Sequence, residues 1–263
     1  IQSHAAPINE AIMEQLIMVD ALKRASAKRI SVVLPFYGYA RQDKKHRGRE
    51  PISARLMADL FKTAGADRLM AVDLHTDQIQ GFFDGPVDHL MALPTLSAHV
   101  AQKYSGQPLA VVSPDAGRIK VAEQWSRRLG GAPLAFIHKT RDITRPNESV
   151  ANRVVGDVSG RLCILVDDMI DTAGTIVKAA DALLAAGASG VVIAATHAIF
   201  SEPAVERLVA CGASEVIVTN TLPIAREHQF EKLTVLSIGP LIAEAVRAVF
   251  EDGSVTSLFG GRA

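Results

Sequence analysis

The chain has 263 residues, of which 48% are hydrophobic, enough to bury the core of one large domain or of two ordinary ones. Basic and acidic residues number 28 each, so the net charge is zero and the bulk charge suggests neither a nucleic-acid nor a membrane partner. No apolar run approaches a membrane span, no signal peptide is evident, and two cysteines are too few for a disulfide framework, which together predict a cytoplasmic protein.

Short apolar runs alternate with helical patterns through the first part of the chain. Apolar residues recur at helical spacing over 8–25, which predicts an amphipathic helix. The run at 29–36 predicts a strand, 52–65 predicts a helix that ends at Gly65, and 67–75 predicts a second strand. Such alternation is typical of α/β proteins, in which parallel strands have helices on both faces of the sheet.

The second part of the chain repeats this alternation. Its strand candidates are 109–114, 134–139, 161–168, 190–197, 215–220 and 233–239. There is also an internal match, because 58–75 aligns without gaps on 180–197, with apolar residues at all the strand positions. The match favours two copies of one α/β unit over a chance similarity between Ala-rich helices. The crossover between the two copies is expected near 91–97.

The stretch ILVDDMIDTAGTI, 164–176, ends a buried-looking strand with two carboxylates and a turn of small residues. Open α/β folds bind ligands at the carboxyl ends of parallel strands, and the backbone amides of 171–175, just before a helix, form an anion site that suits phosphate. Asp167 and Asp168 are poor phosphate ligands but good acceptors for vicinal sugar hydroxyls or for hydrated Mg²⁺. A sugar phosphate satisfies both halves of the motif, although a capped helix with surface aspartates is a simpler interpretation.

This stretch resembles the 5-phosphoribosyl-diphosphate loop of the phosphoribosyltransferase superfamily. Three further segments resemble ribose-phosphate diphosphokinases rather than nucleobase transferases: the basic stretch 39–53, then 72–84, then 111–118. Each places its polar residues at or after the C-terminal end of a predicted strand, and the match runs almost end to end and in order. The chain therefore resembles the class I ribose-phosphate diphosphokinases, which depend on Mg²⁺ and are activated by inorganic phosphate.

The resemblance implies an α/β fold of two tandem phosphoribosyltransferase-like domains, each a mostly parallel sheet flanked by helices. The N-terminal domain is expected over 1–91, joined by the tail 250–263, and the C-terminal domain with the ribose 5-phosphate loop over 92–249. Family members carry a stretch before residue 1 that supplies a strand and part of the adenine site of a neighbouring subunit. The N-terminal domain is therefore expected to lack its first strands, which leaves the ATP affinity and assembly of this chain open.

The implied reaction transfers the β,γ-diphosphoryl group of ATP to the anomeric hydroxyl of ribose 5-phosphate, giving 5-phosphoribosyl 1-diphosphate and AMP for nucleotide, histidine and tryptophan biosynthesis. The resemblance assigns catalysis to Lys139 and Arg141, ATP binding to Arg41, Gln42 and His75, Mg²⁺ binding to His75 and Asp115, and ribose 5-phosphate binding to Asp167, Asp168, Asp171, Thr172, Ala173, Gly174 and Thr175. The catalytic pair lies in the polar segment 138–149, which composition alone would make a surface loop and which the family uses as a closing lid.

The resemblance also implies regulation. Family members are activated by phosphate and inhibited by ADP at a site between subunits, and Lys44, Lys45 and the tail 253–259 match segments that contribute to it. The tail is alternatively a terminal strand docked on the sheet. A homo-oligomer, a hexamer in the family, is expected, with no nucleic-acid or membrane partner.

Two positions depart from the family pattern. Arg118 follows a turn where glycine is frequent, and it adds positive charge near the phosphate site. Gly38 is expected only to loosen the loop that contains it.

Three alternative functions stay open. A nucleobase phosphoribosyltransferase would need a base-recognition region and no ATP site, which the ATP-type residues oppose. A non-catalytic paralogue should have lost catalytic or metal residues, which are present. A nucleic-acid-binding module using 41–49 is opposed by the zero net charge and by the lack of a series of aromatic residues for stacking.

Overall fold

The structure is a computed structural model that describes residues 1–45, 47–140 and 151–259, with the backbone alone described at 139–140 and 151–152. Its helices and strands are, in chain order, α1 (Ile8–Arg24), β1 (Ser31–Leu34), α2 (Ser53–Ala64), β2 (Arg68–Val72), β3 (Val87–Leu90), α3 (Leu93–Lys103), β4 (Leu109–Ser113), α4 (Ile119–Arg128), β5 (Leu134–Thr140), β6 (Ala151–Val155), β7 (Leu162–Ile170), α5 (Gly174–Ala185), β8 (Gly190–Ala198), α6 (Ala204–Ala210), β9 (Glu215–Thr219), β10 (Leu233–Leu236) and α7 (Gly239–Phe250). Strands and helices alternate through most of the chain, as predicted.

The chain divides into two compact units. Unit 1 comprises Ile1–Ala92, Thr221–Pro223 and Ser237–Ala263, and unit 2 comprises Leu93–Asn220 and Ile224–Leu236. Each unit contains its own sheet and its own buried apolar cluster.

The segment that returns to unit 1 is longer than the predicted tail 250–263. It begins at Ser237 and includes α7, which the sequence had placed in the C-terminal domain. The physical reason is that α7 contacts β3 of unit 1 and buries Ile242 and Ala245. Within the described part of the tail, Val255–Phe259 form a short 3-10 helix rather than a strand.

Unit 1 contains a parallel sheet in the order β1-β2-β3, flanked by α1 and α2. The helix α2 ends where the sequence predicted, because Gly65 adopts a φ of 117° that favours glycine and closes the last turn. β3 was not predicted, since its sequence VDHL alternates polar and apolar residues over only four positions.

Unit 2 contains a sheet in the order β10-β9-β8-β7-β4-β5-β6, parallel except for the antiparallel pair β5 and β6. The chain leaves β4 towards β5 but leaves β7 towards β8, so the connections diverge between β4 and β7. Such a switch point is where open α/β sheets bind ligands. Pairing between these two strands ends at Val112 and Leu165, whereas β7 and β8 stay paired as far as Ile170 and Ala198.

Two boundaries near the switch point differ from the prediction. β7 extends to Ile170, so Asp167 and Asp168 lie inside the strand rather than at its end. The strand continues because β8 pairs with it past the end of β4. The helix α5 begins at Gly174 rather than near Ile176. Across the described residues, no helix is long and apolar enough to cross a membrane.

Candidate active site

The two carboxylates at the switch point contact one arginine. Arg118 Nη2 lies 2.6 Å from Asp168 Oδ2, and Arg118 Nε lies 3.7 Å from Asp167 Oδ1. The backbone amide of Asp168 also donates a hydrogen bond to Asp167 Oδ1 at 2.9 Å. The part of β7 that runs past β4 therefore faces the turn that follows β4.

Burial shifts the pKa of Asp167, the first of the two carboxylates. It raises the pKa of Asp167 to about 8, and the neighbouring Asp168 charge adds to the shift, while Arg118 opposes it. Burial therefore favours the protonated form of Asp167. A protonated carboxyl can donate as well as accept a hydrogen bond, so the pair offers both kinds of partner to a sugar hydroxyl.

The small-residue loop leads directly into α5. Ala173 has a φ of 59°, in the left-handed region that non-glycine residues rarely adopt, and Gly174 is the first residue of the helix. The first amides of a helix have no intrahelical acceptor and lie at the positive end of its dipole, an arrangement that binds phosphate. The predicted residues Asp171, Thr172 and Thr175 lie in this same segment.

An arginine outside the motif supports this loop. Arg207 of α6 donates a hydrogen bond from Nη1 to the Thr172 carbonyl at 2.9 Å. A Cβ on Gly174 would lie 3.2 Å from that same nitrogen, so the glycine leaves room for the arginine. The sequence did not predict Arg207, because no local pattern connects two segments that lie 35 residues apart.

The turn after β4 carries Asp115 and Arg118 together. Asp115 caps a short 3-10 helix, Ala116–Arg118, by accepting a hydrogen bond from the Gly117 amide at 2.8 Å. The Ser113 hydroxyl donates to the Asp115 carbonyl at 2.6 Å. The turn is therefore held by its own hydrogen bonds, and it lies beside the carboxylates of β7.

In unit 1 the predicted ATP residues follow two neighbouring parallel strands. Arg41 and Gln42 are exposed on the loop after β1, and His75 is half-buried after β2. Because the carboxyl ends of parallel strands meet at one edge of a sheet, both segments belong to the same edge. Lys44 and Lys45 are exposed on the same loop as Arg41.

A buried aspartate joins these two segments. Asp43 is 4% exposed and accepts hydrogen bonds from the Thr76 hydroxyl and from Gln78 Nε2, the latter at 2.8 Å. It thus holds the basic loop against the turn that follows His75. The sequence placed Asp43 in a supporting role, and these contacts describe how it supports the loop.

A second buried group fixes the start of the basic loop. His4 Nδ1 accepts a hydrogen bond from the Gly38 amide at 2.9 Å, and His4 Nε2 donates to Gln15 Oε1 at 2.9 Å. Burial lowers the pKa of His4 to about 4, which keeps the imidazole neutral. The expectation that Gly38 only loosens the loop is wrong, because a Cβ there would lie 2.9 Å from His4 Nδ1. The glycine permits a close approach.

Another histidine supports the turn that carries His75. The Leu74 amide donates to His89 Nε2 at 2.9 Å, and the Ala92 amide donates to Asp73 Oδ2 at 3.1 Å. Burial lowers the pKa of His89 and keeps its ring available as an acceptor. Neither contact was predicted, since both depend on β3 lying beside β2.

The remaining predicted residues are placed as follows. Lys139 lies on β5, where its backbone is paired with Asn152 of β6. Arg141 lies outside the described residues. His75 belongs to unit 1 and Asp115 to unit 2. Within the described part of the chain, no group of three or more His, Cys, Asp or Glu side chains is arranged to hold a metal ion.

Two family models match this chain. The N-terminal domain of ribose phosphate pyrophosphokinase matches residues 1–65, and the phosphoribosyl synthetase-associated domain matches residues 135–260.

Known ribose-phosphate pyrophosphokinases are similar to this chain over nearly its whole length. The ribose-phosphate pyrophosphokinase of Bifidobacterium longum is 67% identical over 261 residues, which are 98% of this chain and 77% of that protein. The ribose-phosphate pyrophosphokinase of Mycobacterium tuberculosis is 65% identical over 263 residues, all of this chain and 81% of that protein. The crystal structure of phosphoribosylpyrophosphate synthetase from Mycobacterium smegmatis has a TM-score of 0.90 and 64% identity, and the match covers 95% of this chain and 81% of that chain. The likeness therefore extends through both units, and it confirms the predicted fold.

Proposed function

Because this chain belongs to the ribose-phosphate pyrophosphokinase family, as its identity to relatives over both units shows, we propose that it makes 5-phosphoribosyl 1-diphosphate from ATP and ribose 5-phosphate. The anomeric hydroxyl oxygen forms a bond to the β-phosphorus of ATP. The bond from that phosphorus to the oxygen bridging the α-phosphate breaks, AMP leaves, and the hydroxyl proton is lost. Such a transfer depends on in-line positioning and on neutralising charge.

The observation that carries the proposal is the switch point of unit 2. It combines a carboxylate pair with a helix N-terminus a few residues further along the chain, and a sugar phosphate has one end for each. The 5-phosphate is held by the backbone amides of Asp171, Thr172, Ala173, Gly174 and Thr175. Asp167 and Asp168 accept hydrogen bonds from the ribose hydroxyls and donate hydrogen bonds to them, and so orient the anomeric carbon.

The nucleotide half of the reaction belongs to unit 1. Arg41 and Gln42, which are exposed on the loop that Asp43 holds in place, contact ATP together with the half-buried His75. Lys139 and Arg141 stabilise the charge on the transferred group and the leaving phosphate. Lys139 starts from a strand rather than a loop, which supports a defined backbone position for it.

The residues fit Mg²⁺ in part. The carboxylate of Asp115 is a hard oxygen ligand of the kind Mg²⁺ prefers, whereas the imidazole of His75 is not. When bound to the phosphates of ATP, the ion neutralises charge that would repel an approaching hydroxyl. Asp115 is the more secure of the two ligands, because the backbone of its turn is held by hydrogen bonds.

Regulation and assembly follow the family. Inorganic phosphate is proposed as an activator and ADP as an inhibitor, with the exposed Lys44 and Lys45 at the allosteric site. A homo-oligomer, a hexamer as in the family, is proposed for the assembly. A cytoplasmic location is supported by Cys163 and Cys211, which are both buried and free.

The test is AMP formation from ATP, with and without ribose 5-phosphate, in Mg²⁺ and phosphate buffer. We expect AMP only when the sugar is present. Lys139→Ala should lower turnover by about 10²-fold or more, since it removes a charged donor to the transferred group. Lys28→Ala, which changes an exposed lysine before β1, should leave turnover unchanged. Absence of AMP from the unsubstituted protein contradicts the proposal.

A further inference from the structure

Arg207 of α6 contacts the loop before α5 at a backbone carbonyl. Its Nη1 donates a hydrogen bond to the Thr172 carbonyl at 2.9 Å. The helix that carries it packs against α5, and Ala204 and Leu208 of this helix are buried in the same core cluster as Ala173. The backbone beneath Arg207 is therefore fixed relative to the loop that its side chain contacts.

The hydrogen bond to Thr172 sets the direction of the next amide. The Thr172 carbonyl and the Ala173 amide belong to one planar trans peptide unit, in which C=O and N–H point in opposite directions. Because Arg207 holds the carbonyl, the Ala173 N–H points to the other side of the loop, away from the arginine. Ala173 also has a φ of 59°, a conformation that a non-glycine residue keeps only where its surroundings hold it.

The guanidinium lies beside the end of α5 where a cation is unfavourable. A Cβ on Gly174, the first residue of the helix, would lie 3.2 Å from Arg207 Nη1, so the arginine reaches this end because residue 174 is small. The helix dipole is positive here and favours anions over cations. The first turn reads GTIV and contains no acidic residue. The arginine charge therefore becomes favourable at this position when a phosphate binds.

We propose that Arg207 is a positioning residue for the 5-phosphate of the sugar. It holds the loop 171–175 in the conformation that binds phosphate, and its charge adds to that of the positive end of α5. The inference rests on the proposed function, because it takes ribose 5-phosphate as the ligand of this loop. Arg207 acts far from the bonds that form and break, so it should affect the KM for ribose 5-phosphate and not kcat.

A purely structural role makes a different prediction. If Arg207 only held α6 against α5, its loss would lower thermal stability and the fraction of active enzyme. The apparent kcat would then fall, and the KM for ribose 5-phosphate would stay the same. The contact is exposed to solvent, and the loss of such a surface contact should change stability little.

The experiment is steady-state kinetics of AMP formation by the full chain, with ribose 5-phosphate varied at saturating ATP and Mg²⁺. Arg207→Met removes the donor and the charge but keeps an unbranched side chain. The KM for ribose 5-phosphate should rise about fivefold or more, the equivalent of one lost hydrogen bond, while kcat and the KM for ATP stay unchanged. Arg207→Lys should recover most of the affinity, because the contact uses a single donor.

Two controls separate this effect from a general loss of structure. Arg128→Met, an exposed change on α4, should keep the KM values of the unsubstituted protein. Thermal unfolding should place Arg207→Met within about 2 °C of the unsubstituted protein, as expected for a surface substitution.

Each outcome decides the inference. An unchanged KM for ribose 5-phosphate in Arg207→Met overturns it, and so does a loss of folding or an equal rise in the KM for both substrates. If the unsubstituted protein forms AMP from ATP and ribose 5-phosphate but Arg207→Met keeps a normal KM for the sugar, the inference alone fails. If no AMP forms, the proposed function fails, and the inference fails with it.

Discussion

The two units present their candidate residues in different ways. In unit 2 the carboxylates belong to β7, a nine-residue strand that stays paired with β8 past the site. In unit 1 the candidate residues are exposed on a loop after the four-residue strand β1, and buried polar side chains, Asp43 and His4, hold that loop in place. The difference indicates that a substitution in unit 2 acts on the ligand directly. In unit 1, residues that touch no ligand should matter as well.

The largest effect should come from the strand-borne carboxylate. Asp168→Asn removes a hydroxyl acceptor and leaves the Arg118 guanidinium with a weaker partner, so turnover should fall by about 10²- to 10³-fold. The KM for ATP should change little, because ATP is assigned to unit 1. Steady-state kinetics measures both, with the exposed Asp181→Asn as control. A loss of less than threefold would place the ribose elsewhere.

The next largest effect concerns the pH dependence of stability, through the buried His4 of unit 1. The pKa of His4 is about 4 in the folded protein and about 6.5 when unfolded, so the unfolded chain binds the proton more readily. Stability that is present above pH 6.5 should be lost as the pH falls to 4, by up to about 3 kcal/mol. Urea unfolding across this range should show the loss, and His4→Asn should show a flatter profile. Equal slopes for the two proteins would mean that His4 is not buried and neutral.

A smaller loss should follow from crowding the same contact. Gly38→Ala adds a Cβ 2.9 Å from His4 Nδ1 and 3.1 Å from the Ile8 side chain, and overpacking of this kind costs about 1–3 kcal/mol. Gly48→Ala, in the same basic stretch but with nothing within 4 Å, should be close to neutral. Thermal unfolding of the two variants makes the comparison. Equal stability would show that Gly38 only loosens its loop after all.

The smallest effect should separate the two substrates. Asp43→Asn weakens the acceptor for Thr76 and Gln78 and lets the basic loop shift, so the KM for ATP should rise by about tenfold, the equivalent of one lost hydrogen bond. The affinity for ribose 5-phosphate should not change. Asp84→Asn, at an exposed position, is the control. A parallel loss of both substrates would indicate general unfolding instead of a local shift.

Local features of the fold could be predicted from the sequence. The apolar run of β7, the helix α2 and its glycine cap at Gly65 all follow from residue types at short spacing. The loop at 171–175 was found for the same reason. The short strands β3 and β6 were missed, because four or five residues of mixed polarity carry little periodic signal.

The contacts that support the candidate site could not be predicted from the sequence. Arg118 was noticed as a charge, but its pairing with Asp168 depends on β4 lying beside β7, which no spacing in the sequence reveals. The contacts of Arg207 with Thr172 and of His4 with Gly38 have the same character. Each joins segments that are distant in sequence, so each depends on tertiary packing rather than on a local pattern.

The central claim is that the carboxylates of unit 2 bind ribose 5-phosphate while the loop of unit 1 binds ATP. Isothermal titration of Asp168→Asn and Asp43→Asn with each substrate tests it most directly. We predict that Asp168→Asn loses ribose 5-phosphate and keeps ATP, and that Asp43→Asn binds ATP more weakly and keeps ribose 5-phosphate. Normal binding of ribose 5-phosphate by Asp168→Asn would contradict the claim.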